Sequence, residues 1–194
     1  MIINSHTTAL VAATLLALLP GCKSASPSST SATFVVLDTT VINGDTWLLN
    51  RPIDIYFNSA IDFNSVSTSS VIFRATDTLN LGVPVTGTYG LIPDVQGRAN
   101  HAIRFTPACP SNLEFDNGGF VPGNVGYELL LPTESSGGYT VVRDVAGHPL
   151  SVGLTRQFVT PSLGDTYFYD PLFTPPRITD VLVPTGLGLL SIDT

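Results

Sequence analysis

The chain has 194 residues, with eight Lys and Arg against 15 Asp and Glu, for a formal net charge of −7. That balance disfavours nucleic acid as a principal partner, because phosphate binding needs clustered cations. A hydrophobic content of 43% with only 12% charged residues excludes global disorder and suffices for one domain with a real core.

In chain order, the first feature is the uncharged apolar run Ala9 to Leu19. It falls well short of the roughly 20 residues that cross a bilayer and matches the apolar region of a secretory signal peptide. The preceding stretch, Met1 to Thr8, contains no Lys or Arg. Directly after the run comes Leu19-Pro20-Gly21-Cys22. This resembles the lipobox of bacterial lipoproteins, in which a leucine and small residues precede a cysteine. The resemblance implies that residues 1–21 are a lipoprotein signal peptide. It also implies that Cys22 receives a diacylglycerol on its sulfur, becomes the mature N-terminus and carries palmitate-type chains into the bilayer. An ordinary signal peptide with a chance cysteine, or a buried apolar segment, is the alternative. One acyl chain holds a protein to a membrane only marginally, and two or more hold it stably. Residues 22–32, Cys-Lys-Ser-Ala-Ser-Pro-Ser-Ser-Thr-Ser-Ala, are small and polar and read as a flexible tether.

From Thr33 to Thr160 the pattern is that of strands. Phe34 to Leu37 is the first candidate. Ile53, Ile55 and Phe57 alternate with Asp54 and Tyr56, Ile103 and Phe105 flank Arg104, and Tyr127, Leu129 and Leu131 alternate with Glu128 and Leu130. Such period-2 alternation sends one set of side chains inward and the other outward. Val71 to Phe73, Val83 to Val85, Thr140 to Val142 and Leu154 to Val159 add further candidates. One short helical turn is expected near Asp62 to Val66. About seven short strands separated by Gly, Pro, Asn, Asp and Ser predict an all-β fold, an antiparallel β-sandwich. The second cysteine, Cys109, has no intrachain partner if Cys22 is acylated, and is expected to be a buried, inert thiol.

Several motifs then occur in a fixed order. They are Pro52-Ile53-Asp54-Ile55-Tyr56-Phe57-Asn58-Ser59-Ala60-Ile61-Asp62, Ile103-Arg104-Phe105-Thr106-Pro107, Val121-Pro122-Gly123-Asn124-Val125-Gly126-Tyr127, Arg143-Asp144-Val145-Ala146-Gly147-His148-Pro149-Leu150 and Gln157-Phe158-Val159-Thr160. Together they resemble bacterial immunoglobulin-like domains of the kind found in S-layer and other surface proteins. The resemblance covers residues 33–160 and implies an immunoglobulin-like sandwich. His148 stands where the family usually has Asn, and residues 108–120 look like an insertion. Beneath the motifs the physics is structural. Gly147 suits a positive-φ turn, Tyr127 suits a corner tyrosine bonded to the preceding loop, and Asp62 and Asp144 suit turn or cap positions.

Residues that carry chemistry are few. Outside the signal segment the histidines are His101 and His148, and no HExxH, paired CxxC, Gly-x-Ser-x-Gly or phosphate loop occurs. No metal or cofactor is therefore expected. Calcium binding by Asp116, Asn117 or Asp144 is a weaker alternative, without the dense carboxylates of a dedicated loop. His148 is expected to be exposed and idle, and Glu114, Glu128 and Glu134 form no evident catalytic pair. Residues 161–194 form an irregular tail. Its aromatic cluster, Tyr167, Phe168, Tyr169 and Phe173, either packs on the edge of the sandwich or stacks on a sugar ring. Residues 175–186 resemble the first strand of a second such domain.

These readings converge on a non-enzymatic lipoprotein of the bacterial cell envelope. Its partners would be the lipid bilayer through Cys22 and envelope proteins or glycans. The first rival is a carbohydrate-binding module using Trp47 or Tyr167, Tyr169 and Phe173. The second is a hydrolase with a shallow site involving His101 or His148.

Overall fold

The computed structural model describes residues 33–77, 81, 85–112 and 114–173. The expected signal peptide, Cys22, the tether and the start of a second repeat lie outside the described residues. Eight strands are present: β1 (Val36–Thr39), β2 (Asp45–Thr46), β3 (Ile53–Phe57), β4 (Ile72–Ala75), β5 (Gly87–Val95), β6 (Arg98–Pro107), β7 (Gly126–Leu131) and β8 (Leu154–Val159). They form two four-stranded sheets, ordered β1-β3-β6-β5 and β2-β8-β7-β4. Neighbours pair antiparallel except β2 and β8, which run parallel. The chain is therefore an all-β sandwich, as its alternation predicts. Among the described residues no helix is long and apolar enough to cross a membrane.

The alternating residues do what their spacing dictates. Ile53, Ile55 and Phe57 of β3 and Ile103 and Phe105 of β6 point inward, and meet Tyr127, Leu129, Leu131 and Phe158 from the opposite sheet in one core. Burying each such side chain is worth about 1.5–3 kcal/mol against leaving it in water. Register is pinned on the outer face of each sheet by an ion pair between directly opposed residues. Asp54 faces Arg104 across β3 and β6, with Nε and one terminal nitrogen each 2.7 Å from a carboxylate oxygen. Arg74 faces Glu128 across β4 and β7, with Nε donating over 2.8 Å. Both arginines are half in solvent, so these pairs specify register more than they add stability.

Four local expectations are met. Phe63–Ser65 forms the short 3₁₀ turn, and the Asp62 carboxylate caps it by accepting from the Asn64 N–H at 3.1 Å. Gly147 has φ +86°, which a side chain would strain. The Asp144 carboxylate closes that turn, accepting from the N–H groups of Ala146 and His148. The Tyr127 hydroxyl accepts from the Val121 N–H at 3.1 Å, the corner arrangement its position predicts.

Other expectations need correction. The first strand starts two residues later than Phe34, which is a core residue outside it. Residues 140–142 form no strand. Val141 and Val142 are buried, and Val142 is held by one backbone bond, from the Leu150 N–H at 2.9 Å. Val85 lies outside any strand, and residues 83 and 84 lie outside the described set. Two strands have no sequence signal: β2 has two residues, and β5 carries Gly87, Gly90 and Pro93. Those residues depress strand propensity, and the ladder shifts register beside Pro93, between Ile92 and Asp94.

The sandwich has two distinct poles. Residues 33–35 lie at the proximal pole, where the Asn58 side chain bonds Thr33 and Val35, and the Phe34 carbonyl accepts from both N–H and Oγ of Ser151. The tip of the β5–β6 hairpin lies at this end. At the distal pole β3 begins, β6 and β8 end, and the loops before β7 close the core.

Candidate functional site

The distal pole is closed by aromatic residues from segments far apart in the chain. Phe120, from the inserted loop, is fully buried and touches the rings of Phe73, Phe105, Tyr127 and Phe158 at centroid distances of 4.9–6.1 Å. The loop reaches this position through Gly119, whose N–H donates to the Ala108 carbonyl at 2.8 Å. A Cβ on Gly119 would collide with the Thr86 carbonyl. Phe115 of the same loop packs on Phe168 and Tyr169 of the tail, each 5.7 Å away.

The tail through Phe173 folds back on the segment before β3. The Leu49 N–H donates to the Phe168 carbonyl at 2.9 Å. The Asn50 side-chain amide donates to the Asp170 carbonyl at 2.9 Å and accepts from the Asp170 N–H at 2.7 Å. Arg51 reaches the Asp170 carboxylate at 3.6 Å. The expected tail aromatics therefore divide. Phe168 and Tyr169 are half-buried in the distal plug, whereas Tyr167 is 75% exposed and Phe173 is 40% exposed.

Trp47 is a core residue at 2% exposure, not a surface platform. Its indole N–H donates to the Arg51 carbonyl at 2.9 Å, and the Arg51 guanidinium covers its ring at 4.6 Å. Sequence alone admits it as a sugar-stacking residue only because tryptophan suits either role. Cys109 is likewise corrected. It is exposed, because β6 ends at Pro107 and the chain turns outward between Pro107 and Pro110.

His148 is half exposed but not idle. Its Nδ1 lies 3.0 Å from the buried Asp144 carboxylate. Burial alone would raise the Asp144 pKa, but the hydrogen bonds and charge of His148 and the Ala146 N–H outweigh it and hold the carboxyl below the usual carboxylate range. His101 sits on β6, remote in sequence from this turn. Glu128 and Glu134 are paired with Arg74 and Arg143 respectively. Asn117 accepts from the Ser111 N–H and Asp116 bonds Asn112, so these acids and amides shape their own loop. Among the described residues no group of three or more His, Cys, Asp or Glu is placed to hold a metal ion.

The topology also assembles a set that spacing does not reveal. At the proximal pole Leu37, Asp38, Tyr56, Gln96, Arg98 and His101 surround a cavity of about 490 Å³. They come from β1, β3, the β5–β6 turn and β6. Only the pairing of Asp38 with Tyr56, and of Tyr56 with Ala102 beside His101, makes them neighbours. Burial and then the Asp54 carboxylate push the Tyr56 hydroxyl pKa upward, so it is a hydrogen-bond donor at neutral pH. A second recess, lined by Ser65, Glu134, Thr140 and Arg143, has its charges satisfied by the 2.6 Å Arg143–Glu134 contact. No protein-family model matches this chain, and no curated protein matches it.

Proposed function

We propose that this protein is a lipoprotein of the bacterial cell envelope, acylated at Cys22 and displaying an immunoglobulin-like sandwich as a structural, adhesive or assembly module. The observation that supports the immunoglobulin-like part is strand order, and the anchor rests on the sequence Leu19-Pro20-Gly21-Cys22. The orders β1-β3-β6-β5 and β8-β7-β4 follow those of the ABED and GFC sheets of an immunoglobulin constant-type domain, with β2 as an extra edge strand, which supports that reading. The corner tyrosine, Tyr127, stands at the start of β7, the strand where that fold places one.

Two further features support it. Residues 33–35 lie at one pole and residues 168–170 at the other, so the two ends of the sandwich point in opposite directions, as a spacer requires. The net charge of −7 opposes adhesion to anionic lipid, so acyl chains rather than charge would hold the domain at a membrane. The module is read as non-enzymatic because the buried carboxylates Asp54, Glu128, Asp144 and Asp170 are engaged in strand, turn and tail geometry.

Metabolic labelling with palmitate tests the anchor. The wild-type chain should take up label and fractionate with membranes, and Cys22→Ala should do neither. Label retained by Cys22→Ala overturns the assignment. A surface carbohydrate-binding role is the second reading, favoured by the 75% exposure of Tyr167. Glycan binding that disappears in Tyr167→Ala and Phe173→Ala would select it over the spacer.

A further inference from the structure

The cavity at the proximal pole holds one guanidinium, that of Arg98, and one carboxylate, that of Asp38, and the two form no ion pair. Arg51, Arg74, Arg104 and Arg143 each meet a carboxylate. Arg156 bonds the Thr155 carbonyl of its own strand. Arg98 lines the cavity, and among the described residues it has no carboxylate partner. In a chain with 15 acidic residues and eight basic ones, an unmatched guanidinium at the rim of a concave site points to an anion supplied from outside.

The rim is built at some conformational cost. Gln96 has φ +53° and Asn100 has φ +60°, two of the four non-glycine residues with positive φ among those described. They bracket Arg98. Left-handed backbone at a non-glycine residue costs on the order of 1 kcal/mol, and it persists where surroundings or function impose it. At Gln96 it is what the two-residue turn with Gly97, at φ +78°, requires between β5 and β6, and the Gln96 side chain lines the cavity wall.

The remaining groups define what shape of anion fits. Tyr56 presents an aromatic ring, its hydroxyl donating to the Asp54 carboxylate at 3.4 Å, and Leu37 and Val95 add apolar surface. Asp38 and Gln96 supply acceptors. His101 holds its Nδ1 proton on the Ala99 carbonyl at 2.8 Å, which leaves Nε2 as its other polar atom. A ring that is apolar on its faces, hydroxylated at its edge and carboxylated at one carbon matches this mixture. A simple anion would leave the ring and the acceptors unused.

We propose that this cavity binds a carboxylated pyranose of an acidic polysaccharide, with Arg98 taking the carboxylate, Tyr56 and Leu37 supporting the sugar face, and Asp38, Gln96 and His101 bonding its hydroxyls. The proposal is independent of acylation at Cys22 and of the exposed tail aromatics, which lie at the opposite pole.

Calorimetric titration of the whole purified chain tests it. The probes are trigalacturonate, a hyaluronan tetrasaccharide and sialyllactose, against methyl-esterified trigalacturonate, lactose and a tripeptide with a free C-terminus. Saturable binding of at least one acidic sugar is expected, weakened about tenfold or more when its carboxylate is esterified or absent. Arg98→Gln should weaken that binding by a similar factor with an unchanged melting temperature, because Arg98 is exposed at a hairpin tip. Tyr167→Ala should leave it intact. No saturable binding by any acidic sugar, wild-type affinity in Arg98→Gln, loss in Tyr167→Ala instead, or preference for the tripeptide would each overturn the proposal.

Discussion

The proximal and distal poles are closed by different means, the distal one by a plug of aromatic rings that the proximal one lacks. At the proximal pole short local turns do part of the work, since Asp62 caps its own 3₁₀ turn and Asp144 folds its carboxylate onto N–H groups two and four residues ahead, beside the long-range bonds from Ser151 to Phe34. At the distal pole closure is non-local. Phe120 sits among rings from four strands, and Asn50 and Asp170, 120 positions apart, exchange hydrogen bonds. A local turn leaves its signature in consecutive residues, whereas a long-range plug leaves almost none. The proximal end is correspondingly open, with a cavity at its rim, and the distal end is continuous with the core.

The largest effect should come from the plug. Phe120→Ala removes a fully buried ring and should cost about 3–5 kcal/mol in denaturant unfolding. A loss under about 1 kcal/mol would mean that the inserted loop is not part of the core. Next is the bracket between tail and body. Asn50→Ala leaves buried polar groups of Asp170 unmatched and should cost about 1–3 kcal/mol. It should also expose residues 161–173 to proteolysis before the strands are cut, and cleavage at an unchanged rate would contradict the bracket.

At the proximal pole Asp144→Asn gives a pH-dependent effect. The Asp144 carboxyl is held below its ordinary value when folded, so its contribution is complete above the usual carboxylate pKa and drains away as pH falls through the depressed folded value. The wild-type and Asp144→Asn stabilities should therefore differ most at neutral pH and converge in acid. A constant gap from neutral to strongly acid pH would show that the turn does not depend on the ionised carboxylate. The smallest effect is expected for Tyr127→Phe, which loses one hydrogen bond to the Val121 N–H while keeping the ring, about 1 kcal/mol by thermal melting. A change of about 3 kcal/mol or more would give the corner hydroxyl a larger part than its geometry shows.

Legibility in the sequence obeys the same divide. β3 spans the residues that alternation marks, Ile53–Phe57, and β8 spans the further candidate Leu154–Val159, each pairing in register over most of its length. β5 escapes because two glycines and Pro93 interrupt its pattern, while its pairing partner β6 supplies the ladder that holds it. Trp47 is misread because tryptophan suits burial and surface stacking alike, and Cys109 because its exposure depends on where β6 ends, at Pro107. The cavity residues are illegible too. Asp38, Tyr56 and Arg98 are ordinary surface residues until three strands align them.

Hydrogen exchange at two backbone amides tests the central claim most directly, namely that the loop and tail of the distal pole belong to the same cooperative core as the sheets. The Leu49 N–H bonds the Phe168 carbonyl, and the Asp170 N–H bonds the Asn50 side chain. Both should exchange as slowly as the paired amides of β3 and β7, opening only with global unfolding. Exchange of these two at the rate of an exposed loop, while β3 and β7 stay protected, would show that the sandwich closes without them.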